Sequence, residues 1–287
     1  MSKSSLLVRG LGVLLVATLS ACGAKSAAIN PVAPAVSAAS PKDEIPLVLV
    51  AAGKFEMGSD HYRDEEPLHV VELRSFLIDQ TEVTNTQYAH CLQQGFCQPP
   101  QRLDSYSRPE YFGNPQYDAY PVIYVTWDDA DTFCKWAGRR LPTEAEWERA
   151  ARGSDERIYP WGDQPPQANF LNYDFNLGDT SPTGNYPLGA SPYQVLDMAG
   201  NVAEWVADWY DPAYYSESPY SDPGDSLATK YRVVRGGSWI DNRYAVRAGL
   251  RRYYPPDSAF VNLGFRCAES TPAPQGSYMG GGHRTLR

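Results

Sequence analysis

The stretch RVVRGGSWIDNRYAVRAGLRRYYPPDSAFVNLGFRC, Arg232 to Cys267, decides how this chain is read. Its Gly236-Gly237 step is a turn signal, followed along the chain by Ser238, Trp239, Asp241, Asn242 and Arg243 and, further on, by Asn262. Arg251-Arg252 and Tyr253-Tyr254 follow, residue types favoured at binding interfaces and equally suited to roofing a core. Just upstream, LDMAGNVAEWVADWY places two carboxylates, Asp197 and Glu204, on either side of a Gly200-Asn201 turn. Hard cations such as calcium take about six to eight oxygens, mixing carboxylates with carbonyls from a tight turn. The alternative is that the two acids cap a short helix and meet solvent.

Further out, the chain announces its regular elements locally. PLVLVAAGKFEMGS alternates β-branched and small residues, and LHVVELRSFLID resumes the pattern, so Ile45 to Glu72 and beyond reads as strand, turn, strand. Thr84 with Gln87, Thr126 with Asp129, and Thr143 with Glu146 are capping boxes, each ahead of a helical run; Gly138 and Gly153 supply stops. After Gly153 periodicity fades into loops marked by Pro-Trp-Gly, Pro-Pro and Gly-Ala-Ser-Pro-Tyr. So long an irregular stretch needs something to tie it down, with aromatics, disulfides and metal as the expected ties.

The ends differ in composition. Lys3 and Arg9 precede a short apolar run, Leu11 to Leu19, and then Leu19-Ser20-Ala21-Cys22, the pattern of a lipoprotein signal spanning residues 1–21. The run is about half of the ~20 residues a spanning helix requires. Acylation of Cys22 would anchor the chain stably, because each buried methylene contributes about 0.8 kcal/mol. Gly23, where a retention signal would have Asp, points to an outer-membrane anchor facing the periplasm or exterior. Residues 22–44 are an Ala/Pro/Ser tether, residues 45–269 one globular domain of about 225 residues, and residues 270–287 a tail poor in core formers. The formal charge of −9 becomes −11 once Lys3 and Arg9 leave with the signal, which argues against nucleic acid as a partner.

With Cys22 assigned to lipid, Cys91, Cys97, Cys134 and Cys267 form an even set in a disulfide-permissive compartment. Three connectivities are possible. The LQQGF loop, turned by Gly95, is short enough for a local Cys91 to Cys97 bridge.

The segments GKFEMGS, TEVTNTQY, PVIYVTWDDADTFCKWAGRRLPTEAEWERAARG, YPWGD, LDMAGNVAEWVADWY, RVVRGGSW and NLGFRC resemble, in this order, the formylglycine-generating enzyme (sulfatase-modifying factor) family. GRRLPTEAEWE and GNVAEW are the most specific. The resemblance implies an α+β, elaborated C-type-lectin-like fold with little regular secondary structure. It implies a second bridge, Cys134 to Cys267, and calcium held by the side chains of Asp197 and Glu204 with the backbone of Gly200 and Val202. A second calcium site would use Asn169 and the Phe170 carbonyl with the loop Asp174 to Asp179. Both would be structural.

Family members that oxidise a substrate cysteine carry two copper-binding thiols shortly after the Gly-Gly-Ser step. Here those places hold Asp241 and Val246. Copper(I) prefers soft thiolates, so no copper is expected. Related iron-dependent sulfoxide synthases add a helical domain with clustered histidines, whereas His61, His69, His90 and His283 are scattered. No nucleophile elbow, phosphate-binding glycine loop or HExxH pair occurs. The leading expectation is a lipid-anchored binding or accessory protein that engages a protein or peptide without cysteine-oxidase activity. The rival is a thiol-independent oxidative or maturation enzyme, as in siderophore maturation by periplasmic relatives, built on Asp241, Ser238 and Arg243 with Asp241 as a general base. A purely structural envelope protein is the third.

Overall fold

A computed structural model describes residues 46–224 and 226–271 of the chain. The expected signal, the lipidated Cys22, the tether and nearly all of the expected tail, His283 included, lie outside these residues. The tail boundary shifts slightly: the last strand runs through Ser270, and Thr271 bonds Ser75, beyond the expected edge at 269.

Among the described residues, three small sheets and four α-helices make up the fold. Strands β1 (Leu47–Val50), β4 (Phe76–Asp79) and β9 (Ala268–Ser270) form one antiparallel sheet, so the two ends of the domain pair through β4. β2 (Gly53–Met57) and β3 (His69–Leu73) form a hairpin. The third sheet, in the order β7-β6-β5-β8, joins β5 (Ala203–Trp209), β6 (Arg232–Arg235), β7 (Arg252–Tyr254) and β8 (Leu263–Phe265). Glu204 stands opposite Arg235 in the β5–β6 register, and β8 runs parallel to β5.

The helices begin where the capping boxes predict. Helix α1 (Asn85–Gln93) starts at Thr84, α2 (Trp127–Trp136) at Thr126 and α3 (Glu144–Arg152) at Thr143, and in each box side chain and backbone reciprocate. A short fourth helix, α4 (Tyr214–Glu217), lies between β5 and β6. One core cluster, around Tyr88, Phe133, Trp205 and Phe265, joins α1 and α2 to the third sheet. Another, around Trp147, Val206 and Val233, joins α3 to the hairpin and the other face of that sheet.

Every residue of α3 is buried, its charges included. Glu144 accepts from Arg235 and Arg251, while Glu148 accepts from Arg235 and Arg152. The same guanidiniums reach loop carbonyls: Arg152 donates to Gly58, Arg235 to Ala248 and Arg251 to Asp64. Buried ion pairs contribute little net stability because desolvation offsets attraction, yet removing one partner strands a charge. Here they also satisfy the backbone of segments that have no ladder to join.

Between α3 and β5 the only regular element among the described residues is the short 3-10 turn Pro187–Gly189. Aromatics do tie it, as expected: Tyr159, Trp161 and Phe170 form a stacked column with centroids 5.1 and 5.2 Å apart. The other ties are polar. Asn172 donates to the Asp179 carbonyl and accepts from Asn201 N–H, and the Asp179 carboxylate collects Ser105 Oγ, Ser107 N and Oγ, and Thr180 N.

Candidate functional site

The Gly236-Gly237 turn leaves β6 with φ of 87° and 65°, and the second position has no room for a side chain. A Cβ on Gly237 would stand 2.2 Å from the Ala245 carbonyl oxygen. This close approach folds the segment back and brings Ser238 and Asp241 together. Asp241 Oδ2 accepts from Ser238 N–H at 2.9 Å and from Ser238 Oγ at 2.7 Å, and Asn262 Nδ2 donates to the same Oγ at 2.8 Å. Arg252, on edge strand β7, completes the set by gripping both Asp241 oxygens. Ser238, Asp241 and Asn262 are therefore joined, with Arg252, legible in the sequence only as an interface or roofing residue, as the fourth member.

Asn242 and Arg243 are not part of that set. Both are exposed; Asn242 Oδ1 accepts Tyr244 N–H, and Arg243 donates to Tyr244 Oη. Asn242 lines a depression of about 390 Å³ together with Tyr62, Asp64, Tyr244, Arg251 and Arg252. Of the tyrosines after the arginine pair, Tyr253 stacks on Tyr210 with centroids 3.9 Å apart, and Tyr254 packs on Trp205 and Phe260. Tyr254 thus roofs the core, while Tyr253 is 43% exposed.

Trp239 is fully buried between two exposed rings. Tyr106 tilts against it and Phe175 meets it edge-on, each with centroids 5.3 Å away. Consecutive bonds, Asp174 N–H to Asp241 O at 2.9 Å and Phe175 N–H to Trp239 O at 2.8 Å, clamp the Phe175 loop onto the turn. Neither Tyr106 nor Phe175 carries a local motif, so their role was invisible in the sequence.

The two altered positions have different fates. Asp241 is neutralised by Arg252, and Ser238 is wholly buried, so neither is presented as a free base or nucleophile. Val246 is a core residue, packed with Tyr159, Leu171 and Ala199. No free thiol remains among the described residues: Cys91 is bonded to Cys97 and Cys134 to Cys267, as expected.

The expected calcium ligands meet differently. Glu204 is fully buried, and its carboxylate is already occupied: Arg266 Nε and Nη2 and Trp147 Nε1 donate to it at 2.7 to 2.8 Å. Asp197 Oδ2 accepts Gly184 N–H. Asp197 faces Glu82, a buried acid absent from the expected set, whose Oε1 accepts Asn201 Nδ2 and whose Oε2 has no partner among the described residues. Burial, reinforced by the Asp197 carboxylate, pushes Glu82 well above the ordinary glutamate range. Burial likewise raises Asp197, against the pull of Gly184 N–H and Arg266. Arg266 is thus the guanidinium that balances Glu204, Asp197 and Glu82 in one buried volume. The Glu204 carboxylate already receives three donors, so a cation beside Asp197 would have to compete with Arg266 and Trp147 for it. The second expected site fares similarly: Asn169 is exposed, the Phe170 carbonyl lies against Gly189, and Asp179 is committed to Ser105, Ser107, Thr180 and Arg108.

Known proteins place this architecture. The family model for the sulfatase-modifying factor enzyme 1-like domain matches residues 33–271. The formylglycine-generating enzyme of Streptomyces coelicolor is 34% identical over 303 residues, covering 84% of this chain and 94% of that enzyme. The serine/threonine-protein kinase pkn1 of Chlamydia caviae is 37% identical over 239 residues; the match covers 78% of this chain but 38% of the kinase, so the chain spans well under half of that relative. Among solved structures, PvdO from Pseudomonas aeruginosa superposes with a TM-score of 0.66 at 28% identity, covering 78% of this chain and 94% of PvdO. The fold is the C-type-lectin-like one, α+β with short strands and few helices.

Proposed function

The chain belongs to the sulfatase-modifying factor (formylglycine-generating enzyme) family, and we propose that within it this is a binding or accessory member without cysteine-oxidase activity, engaging a peptide segment at the surface around Trp239. The carrying observation is the fate of the two thiol positions. Asp241 is locked to Ser238 and Arg252, Val246 is buried in the core, and the four cysteines of the described domain are paired. No soft ligand for copper(I) remains at the turn. The aromatic cover of Tyr106 and Phe175 supports binding, because exposed aromatics anchored on a rigid frame are common interface anchors. Attachment through Cys22 to the outer membrane is part of the same proposal and rests on the leader alone.

The test has two arms. Purified protein incubated with copper, oxygen and a cysteine-containing peptide should leave the cysteine intact by mass spectrometry; aldehyde formation would overturn the proposal. An immobilised library of extended peptides should yield binders whose retention falls at least tenfold in Phe175→Ala. The rival reading, thiol-independent chemistry, draws on the survival of Ser238, Asp241 and Asn262 as a joined polar set. It is the weaker one because that set is closed by Arg252.

A further inference from the structure

Two unfavourable features coincide at Trp239. Its indole Nε1–H is buried with no hydrogen-bond partner among the described residues, and leaving such a donor unmade costs about 1–3 kcal/mol. Beside it, Phe175 has φ of 57°, a left-handed backbone that bulky residues seldom adopt and that costs on the order of 1–3 kcal/mol. Core packing does not explain the strain, since Phe175 is 50% exposed. The clamp to the Trp239 carbonyl holds it there and sets the phenyl ring perpendicular to the indole, at the surface. Tyr106 is 66% exposed, has no side-chain hydrogen bond among the described residues, and meets Trp239 through its ring. An exposed side chain held that lightly changes rotamer within nanoseconds.

We infer that Tyr106 is a swinging cover over an acceptor-binding slot, in which the Trp239 indole N–H donates to a peptide carbonyl while Phe175 packs against the adjoining apolar side chain. This rests on the peptide-binding reading and adds the group that recognises the ligand and the ligand's chemistry. The recognised element is a neutral carbonyl beside an aliphatic or aromatic side chain. A free carboxylate is not the match, because the guanidinium at the turn, Arg252, is already neutralised by Asp241. Closed, the slot leaves one donor unsatisfied; occupied, it satisfies that donor and keeps the apolar rings covered. Unpaired donors of this kind are what make a site discriminate between ligands that can and cannot accept a hydrogen bond.

The seven tryptophans give separable indole signals in a 15N-labelled sample, and Trp239 is identified by the signal missing in Trp239→Phe. Titration with N-acetyl-leucine-N-methylamide should move the Trp239 indole proton downfield, leaving the other six within error. Tyr106→Ala, an exposed change that should not disturb folding, should speed exchange of that indole proton at least tenfold and tighten probe binding several-fold. Trp239→Phe should weaken the probe about tenfold. A static Trp239 signal, or exchange and binding unchanged in Tyr106→Ala, would refute the slot. Peptides from the library that bind wild type and Trp239→Phe equally would also refute it while leaving the peptide-binding reading intact; failure of every peptide and of the probe would remove both.

Discussion

Replacing Arg266 by leucine tests what holds the Asp197 to Glu204 loop. Arg266 is fully buried, takes both oxygens of Glu204, and donates to the carbonyls of Asp79, Gln80, Leu196 and Asp197. Removing one partner of a buried ion pair costs about 3–5 kcal/mol. The stranded carbonyls, together with Glu204 left facing Glu82 and Asp197, put this case at the upper end. For a domain of this size, where 1 kcal/mol moves the midpoint by about 2–4 °C, thermal unfolding should fall by on the order of 10–20 °C. Adding Glu204→Gln should recover part of the loss, because the charge that Arg266 neutralised is then gone. Circular dichroism melts of the parent and both variants, each in millimolar calcium and in EDTA, separate the two accounts of the loop. Calcium should leave the parent midpoint unchanged. A parent that melts several degrees higher with calcium, or an Arg266→Leu variant that melts within about 2 °C of it, would show that a cation rather than the guanidinium holds Glu204.

Two further outcomes follow from particular bonds. The Cys134–Cys267 bridge closes a separation of 133 residues and Cys91–Cys97 one of 6; chain entropy makes their removal cost about 5 and about 2 kcal/mol respectively, so urea midpoints of the paired alanine variants should fall in that order, and the reverse order would contradict the assignment. Burial raises Asp79 to about 6 despite the Arg139 guanidinium. Its folded value lies above its unfolded value, so the native state holds the proton more tightly, and stability should decline by on the order of 3 kcal/mol as pH rises from about 4 to 6, then level off. Chemical denaturation across that range should show the slope, and Asp79→Asn should flatten it.

Much of the fold was legible because its signals are local. A threonine followed three residues later by Gln, Asp or Glu satisfies the first turn of a helix wherever the helix sits, so α1, α2 and α3 begin at Thr84, Thr126 and Thr143 as read. The local disulfide was legible for the same reason, since Gly95 turns a loop short enough to close. The Ser238, Asp241 and Asn262 grouping could be anticipated from the family frame. Arg252 as the partner of Asp241, and Tyr106 and Phe175 as the cover of Trp239, could not, because each pair is joined only through the third dimension.

The Asp197 to Glu204 segment shows where sequence stops. Two acids around a Gly-Asn turn have the composition of a calcium loop, and composition is all that a single segment offers. Which positive group reaches Glu204 depends on β8 lying parallel to β5, which delivers Arg266 from 62 residues away into the same buried volume. The sequence by itself determined the family, the helix starts, the local Cys91–Cys97 bridge and the absence of thiols at positions 241 and 246, while the Cys134–Cys267 bridge came with the family resemblance. Only the tertiary structure decided that Asp241 is closed by Arg252, that Val246 is core, and that Trp239 carries an unpaired donor. Burial and charge pairing are properties of neighbours distant along the chain, and no local pattern encodes them.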